Sequence, residues 1–202
     1  SETDVSLPPG KGAARGRVDH VIVLDGTFSS LRDGEVSNAG LTWQLLAEDG
    51  PRARRTLYYE EGIQWQGWRR GMDVIKGVGL EGQIRRAYGH LASHYREGDR
   101  IYLFGYSRGA FAVRSLAGVI DRVGLLRHDA ATERNVTLAW RHYRNGPSTA
   151  AGMAFARTHC HLEAPVEMVG VWDTVKALGL RLPLMWMLTD GEHETRLGTG
   201  VQ

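Results

Sequence analysis

A single cysteine, Cys160, in 202 residues excludes an intrachain disulfide and leaves no thiolate cluster for a metal. Its expected place is the core, as a small apolar residue. No apolar run is long enough to span a bilayer. The first residues carry no leader pattern, so the expected location is the cytoplasm of the producing cell, with any export independent of a signal peptide. The net charge is only +2, which supplies no broad field for nucleic acid or a membrane surface. A phosphate-loop lysine is missing from the Gly-x-Ser-x-Gly turn, and no dinucleotide glycine pattern opens the first helix, which argues against nucleotide chemistry. No metal and no cofactor are expected. His90 and His94 stand four apart on a predicted helix, but no third ligand accompanies them at zinc-type spacing, and they read as surface side chains.

What remains is the composition of a soluble globular protein, 42% apolar and 24% charged, long enough for one domain with a real core. Residues Ser1 to Arg17, with Pro8-Pro9-Gly10, read as a flexible tail. The domain is expected over 18–202. Its centre is Tyr102-Leu103-Phe104-Gly105-Tyr106-Ser107-Arg108-Gly109-Ala110-Phe111. An apolar run enters this stretch and a helix-period run leaves it. Gly-x-Ser-x-Gly between strand and helix is the pattern of a nucleophile elbow, which holds a serine at a sharp, strained turn. Side chains at Gly105 and Gly109 are expected to collide with the neighbouring backbone. The helix N-terminus behind Ser107 offers free N–H groups and a positive dipole end to an oxyanion. The alternative is a glycine-flanked turn in some other doubly wound α/β protein.

Four strands are predicted: Val18–Leu24, Thr56–Tyr59, Arg100–Phe104 and Val166–Val171. Helices are predicted between them. One is capped by Ser37 or Asn38, with Leu41, Leu45 and Leu46 on one face. Another covers Leu80 to Tyr95, a third follows Ser107, and two more run from Thr132 to Tyr143 and from Ala150 to Thr158. Alternating strands and helices imply a three-layer α/β/α sandwich with a mainly parallel sheet. The connection rules make the first and third strands central neighbours, with the second and fourth outside them.

The first strand runs into Asp25-Gly26-Thr27. The N–H groups of this loop are expected to complete an oxyanion hole with that of Arg108. The competing reading of Asp25 is a carboxylate that holds the turn. Asp173 ends the fourth strand, on the same edge as Ser107, where it reads as the acid that orients a histidine or as a helix N-cap. The glycine- and tryptophan-rich stretch from Gly62 to Gly79 reads as a wall of the access route or as a surface loop pinned by its indoles. Leu180 to Leu188 reads as a lid, a lipid-contacting element, a core helix or an interface.

Three segments together resemble a known family: Asp25-Gly26-Thr27, Gly98-Asp99-Arg100-Ile101-Tyr102-Leu103-Phe104-Gly105-Tyr106-Ser107-Arg108-Gly109-Ala110, and Gly170-Val171-Trp172-Asp173-Thr174-Val175. They look like the marker segments of a bacterial and fungal α/β-hydrolase family that includes the catalytic domain of type VI secretion phospholipase effectors. The resemblance implies a serine hydrolase acting on lipid or other esters, with Ser107 at the nucleophile position and Asp173 as the candidate triad acid. Asp25, Gly26 and Thr27 match the family's Asp-Gly-Thr loop. Phe28-Ser29 replaces the family's common Trp-Asn. The family's later Gly-x-His-x-Asp-Val-Gly-Gly segment is not in this sequence, so the sheet is expected to look cut short on its C-terminal side. His193 is the only histidine downstream of Asp173, but it lies in a stretch similar to a different family segment, His-Asp/Glu-Thr-Arg-Leu.

Two functions of different class follow. One is a serine ester hydrolase, with a lipolytic substrate implied by the resemblance. Its histidine is His193, or one from a second chain or a missing C-terminal segment. The other is a non-catalytic α/β-hydrolase-like module that binds a partner or lipid. A sealed monomer with an inaccessible Ser107 favours the second.

Overall fold

The computed structural model describes residues 16–26, 36–48, 54–61 and 78–172. Within them the chain runs β1 (Asp19–Leu24), α1 (Asn38–Glu48), β2 (Arg55–Glu60), α2 (Val78–His94), β3 (Arg100–Tyr106), α3 (Arg108–Arg122), α4 (Glu133–Asn145), α5 (Ala150–His159) and β4 (Val166–Trp172). A short 3-10 turn, His128–Ala130, joins α3 to α4. All four strands pair in parallel, in the order β2-β1-β3-β4, as the connection rules require. Of the glycine- and tryptophan-rich stretch from Gly62 to Gly79, only Val78 and Gly79 are described, as the start of α2, and residues 62–77 and Leu180–Leu188 lie outside the described residues. So does the question of whether more strands follow β4.

β1 explains the layering. Its continuous β-branched run buries both faces, as in a central parallel strand. Ile22 and Leu24 join Ile101 and Leu103 in a large core with Ile84, Leu91, Val113, Leu116 and Ile120 from α2 and α3. Val21 and Val23 face the other way, toward Ala39, Trp43 and Leu46 of α1. Cys160 sits in the larger core, where burial pushes its thiol up to about 11.

Two sequence expectations change. α1 does not bury Leu41 and Leu45, which stand 47% and 59% exposed. The small residues Ala39 and Gly40 are buried instead, and they let the helix approach the sheet. The buried face is therefore the 39, 43, 46 stripe, also at helical spacing, and the leucine spacing alone had pointed to the wrong side. His90 is half-buried rather than fully at the surface. Its ring packs 4.6 Å from Tyr58 and 4.2 Å from His94, and its Nε2 is buried with no partner among the described residues.

The N-terminal edge of the sheet is tied by Asp99, the aspartate of the Gly98-Asp99-Arg100 segment. Its carboxylate accepts from the Val18 N–H at 3.0 Å and the Arg96 N–H at 3.0 Å, and it meets His20 Nε2 at 2.9 Å. His20 Nδ1 in turn lies 2.7 Å from Thr56 Oγ1. One buried carboxylate thus joins the starts of β1 and β3, and through His20 reaches β2. Arg100 adds a two-pronged pair with Asp19 at 2.6 and 2.8 Å. These contacts fix strand register and leave the opposite edge free for chemistry.

Candidate active site

At the C-terminal edge, β3 turns into α3 within one residue. That residue is Ser107, with φ 53° and ψ −118°, and it is the only non-glycine residue with positive φ among the described residues. Such a conformation costs on the order of 1–3 kcal/mol and persists only where its surroundings enforce it. Here they do. A Cβ placed on Gly109 would overlap the Leu24 carbonyl oxygen and lie 2.5 Å from the Leu24 carbonyl carbon. One placed on Gly105 would lie 2.6 Å from the Gly109 carbonyl carbon and 2.7 Å from the Ala110 nitrogen. The two glycines therefore allow α3 to start directly against β1 and β3. Ser107 N–H still donates to Trp172 O at 3.0 Å, so the apex is held by the sheet.

The Ser107 hydroxyl differs from the other residues that open helices here. Ser37, Thr132 and Thr149 each accept an N–H from their own helix, at 3.0, 3.2 and 3.1 Å. Ser107 makes no such capping bond. Its side chain is partly exposed, the Ala110 N–H turns back to the Ser107 carbonyl at 3.0 Å, and the Arg108 and Gly109 N–H groups before it lie ahead of the first i→i−4 acceptor of the helix. An unengaged hydroxyl beside oriented N–H groups is what attack on a carbonyl requires.

The loop after β1 packs on this apex. A Cβ on Gly26 would lie 2.8 Å from Ser107 Cβ and 2.9 Å from Tyr106 O. Asp25 is buried, and its carboxylate is fully engaged. It accepts from the Gly26 N–H at 2.8 Å, from the Ser37 hydroxyl at 2.8 and 2.7 Å, and from the Tyr59 hydroxyl at 2.8 Å. Burial and then the Asp25 contact raise the Tyr59 pKa. The turn-holding reading of Asp25 therefore describes its contacts. The Gly26 N–H is a correction: it points to Asp25 and is not a free oxyanion donor. Sequence reasoning missed Tyr59 as a member of this cluster. Its position at the C-terminal end of β2, opposite Val23, was the available signal. It had Ser37 only as a cap.

Arg108, the first residue of α3, is partly buried, and burial lowers its guanidinium pKa. β4 ends at Trp172, paired with Tyr106, the residue before Ser107. Asp173, His193 and Thr27 lie outside the described residues. Among the described residues no group of three His, Cys, Asp or Glu side chains is placed to hold a metal, and no helix is long and apolar enough to cross a membrane.

Comparison with known proteins supplies a family for the chain. The model of the family described as "T6SS, Phospholipase effector Tle1-like, catalytic domain" matches residues 19–200. "Uncharacterized protein YEL023C" of Saccharomyces cerevisiae is 29% identical over 203 residues, covering 88% of this chain and 29% of its own length. The chain thus spans about 29% of the length of that curated relative. No solved structure matches. With the match running from the first strand nearly to the last residue, the chain belongs to the Tle1-like phospholipase effector catalytic-domain family.

Proposed function

We propose that this chain carries the nucleophile of a serine ester hydrolase that acts on lipids. The observation that carries the reading is Ser107 itself. A strained apex residue, enforced by two glycines and with its hydroxyl unused in capping, has no structural return for its conformation. Stored strain of this kind belongs to a residue whose position matters chemically. The lipid substrate rests on the family. A non-catalytic binding module has no need of the strain, and Ser107 is not sealed from solvent.

In this reading Ser107 Oγ attacks the ester carbonyl while a histidine takes its proton. The oxyanion is held by the N–H of Arg108 and that of Thr27. The histidine then protonates the departing alcohol, and water releases the acyl group from Ser107. Asp173 orients the histidine. His193 is the histidine this chain offers, and one from a second chain or from sequence beyond Gln202 is the other source.

Labelling with a fluorophosphonate probe tests this directly, because such probes react with serines activated by a base and an oxyanion hole. Labelling of the full chain that disappears in Ser107→Ala supports the reading, and His193→Ala then tells which histidine serves. An unlabelled chain that stays unlabelled when extended beyond Gln202 counts against it.

A further inference from the structure

We propose that Tyr59 and Ser37 are positioning residues for the reaction at Ser107: their hydroxyls hold the Asp25 carboxylate, and through it they fix the loop that backs the nucleophile. This rests on the reading of Ser107 as nucleophile.

The path from the two hydroxyls to the elbow is continuous. Tyr59 reaches Asp25 Oδ2 from the end of β2 at 2.8 Å, and Ser37 reaches both carboxylate oxygens from the start of α1 at 2.8 and 2.7 Å. Asp25 is 1% exposed, and its Oδ1 holds the Gly26 N–H at 2.8 Å. Gly26 in turn stands against three parts of the elbow. A Cβ there would lie 2.8 Å from Ser107 Cβ, 2.9 Å from Tyr106 O and 3.2 Å from Tyr106 Cδ1. Neither hydroxyl touches Ser107. Each acts on it through one carboxylate and one peptide.

Both residues do more than their local structure asks. A helix cap needs only an acceptor, which Ser37 supplies to the Gly40 N–H at 3.0 Å. Thr132 and Thr149 cap α4 and α5 in the same way, and their hydroxyls meet no carboxylate among the described residues. Ser37 alone of the three sends its own proton to a buried carboxylate. Tyr58 and Tyr59 also part company. Tyr58 donates to Glu60, two residues along its own strand, whereas Tyr59 crosses to the loop after β1. Its ring is seated 5.7 Å from that of Trp43 on α1, so the hydroxyl is aimed by packing.

A buried carboxylate that loses one donor turns toward those that remain. The Gly26 N–H follows the oxygen that holds it, and the contact with Ser107 shifts. A positioned reaction is sensitive to fractions of an ångström. Tyr59 and Ser37 have no contact with the reacting atoms, so their loss acts on the rate of the chemical step and leaves binding alone.

The test follows fluorophosphonate labelling of the full chain over a range of probe concentrations, which separates the limiting rate from the half-saturating concentration. Tyr59→Phe and Ser37→Ala are each expected to lower the limiting rate about tenfold with half-saturation unchanged. Ser37→Thr, which keeps the hydroxyl, is expected to restore most of it. Thr132→Ala removes a cap on the other face of the sheet and is expected to label at the wild-type rate. A wild-type limiting rate in Tyr59→Phe overturns the proposal. So does a change confined to half-saturation, or a loss in Thr132→Ala equal to that in Ser37→Ala, because the effect is then one of stability. A second readout does not depend on labelling. The backbone amide resonance of Ser107 is expected to move in Tyr59→Phe and to stay in place in Thr132→Ala. A Ser107 resonance that does not move in Tyr59→Phe overturns the proposal. If it moves, but neither the chain nor its extension beyond Gln202 is labelled, the nucleophile reading fails and the tether stands.

Discussion

Gly26 lies directly against Ser107: a Cβ on Gly26 would stand 2.8 Å from the Ser107 Cβ. The loop leaving β1 and the turn leaving β3 therefore touch through backbone, in the register that sets Leu24 beside Gly105. Asp25 makes the contact possible. It draws the Gly26 N–H, the Ser37 hydroxyl and the Tyr59 hydroxyl onto one carboxylate, so the loop is anchored to α1 and β2 and leaves the Ser107 hydroxyl alone. The elbow is braced from the side by groups that take no part in its hydrogen bonding.

Gly26→Ala should act on chemistry more than on folding. The added methyl meets the Ser107 Cβ and the Tyr106 carbonyl, 2.9 Å away, and one of them has to shift. A displacement approaching 1 Å costs on the order of 10²-fold in a positioned reaction. The expected result is a fluorophosphonate labelling rate down about a hundredfold, with circular dichroism unchanged. A labelling rate equal to wild type would mean that the loop yields freely and does not brace the apex.

Ser107→Gly and Ser107→Ala should both abolish labelling but differ in stability. Glycine adopts a φ of 53° without the Cβ penalty, whereas alanine keeps it. Ser107→Gly is expected to exceed Ser107→Ala by about 1 kcal/mol in urea unfolding. The reverse order would mean that the apex is not strained in solution.

Much of this fold is written in strand composition. The unbroken Val21-Ile22-Val23-Leu24 run has no polar face, so it demands a layer on each side, and the sheet order follows from connection handedness. The elbow is legible for a similar reason: two glycines flank one serine between a strand and a helix, and each answers a steric demand. What the sequence hides are choices between equal patterns. α1 carries apolar residues on two faces, and only the small Ala39 and Gly40 decide which one packs. Asp25, Ser37 and Tyr59 lie far apart in the chain, and no spacing rule reveals that their oxygens converge. Asp99 looks like part of a turn, yet it joins two strand starts and a buried histidine.

The Asp25 cluster should behave as one unit. Asp25→Ala leaves three donors without their acceptor and is expected to cost about 3 kcal/mol or more. Tyr59→Phe removes one donor and leaves two, so about 1 kcal/mol is expected. Combining the two should give less than the sum, by at least about 0.5 kcal/mol. Strict additivity in urea unfolding would show that Tyr59 and Asp25 do not share an interaction.

His90 should make the fold sensitive to mild acid. Burial, then the neighbouring His94 and His20, lower its pKa to about 4 from an ordinary 6.5. In the unfolded chain it titrates near 6.5. Between these values the unfolded state binds the extra proton and the folded state does not, so stability rises with pH across that window. The contribution is complete above pH 6.5 and is lost as pH falls toward about 4. Carboxylates titrate in the lower part of the same range, so the measurement is a difference: urea midpoints at pH 7.5 and pH 5 for wild type and for His90→Phe, which keeps a ring against Tyr58. The variant is expected to lose less stability on acidification than wild type. Parallel losses would mean that the buried Nε2 gains a partner or water in solution and that His90 ionises there as it does in an unfolded chain.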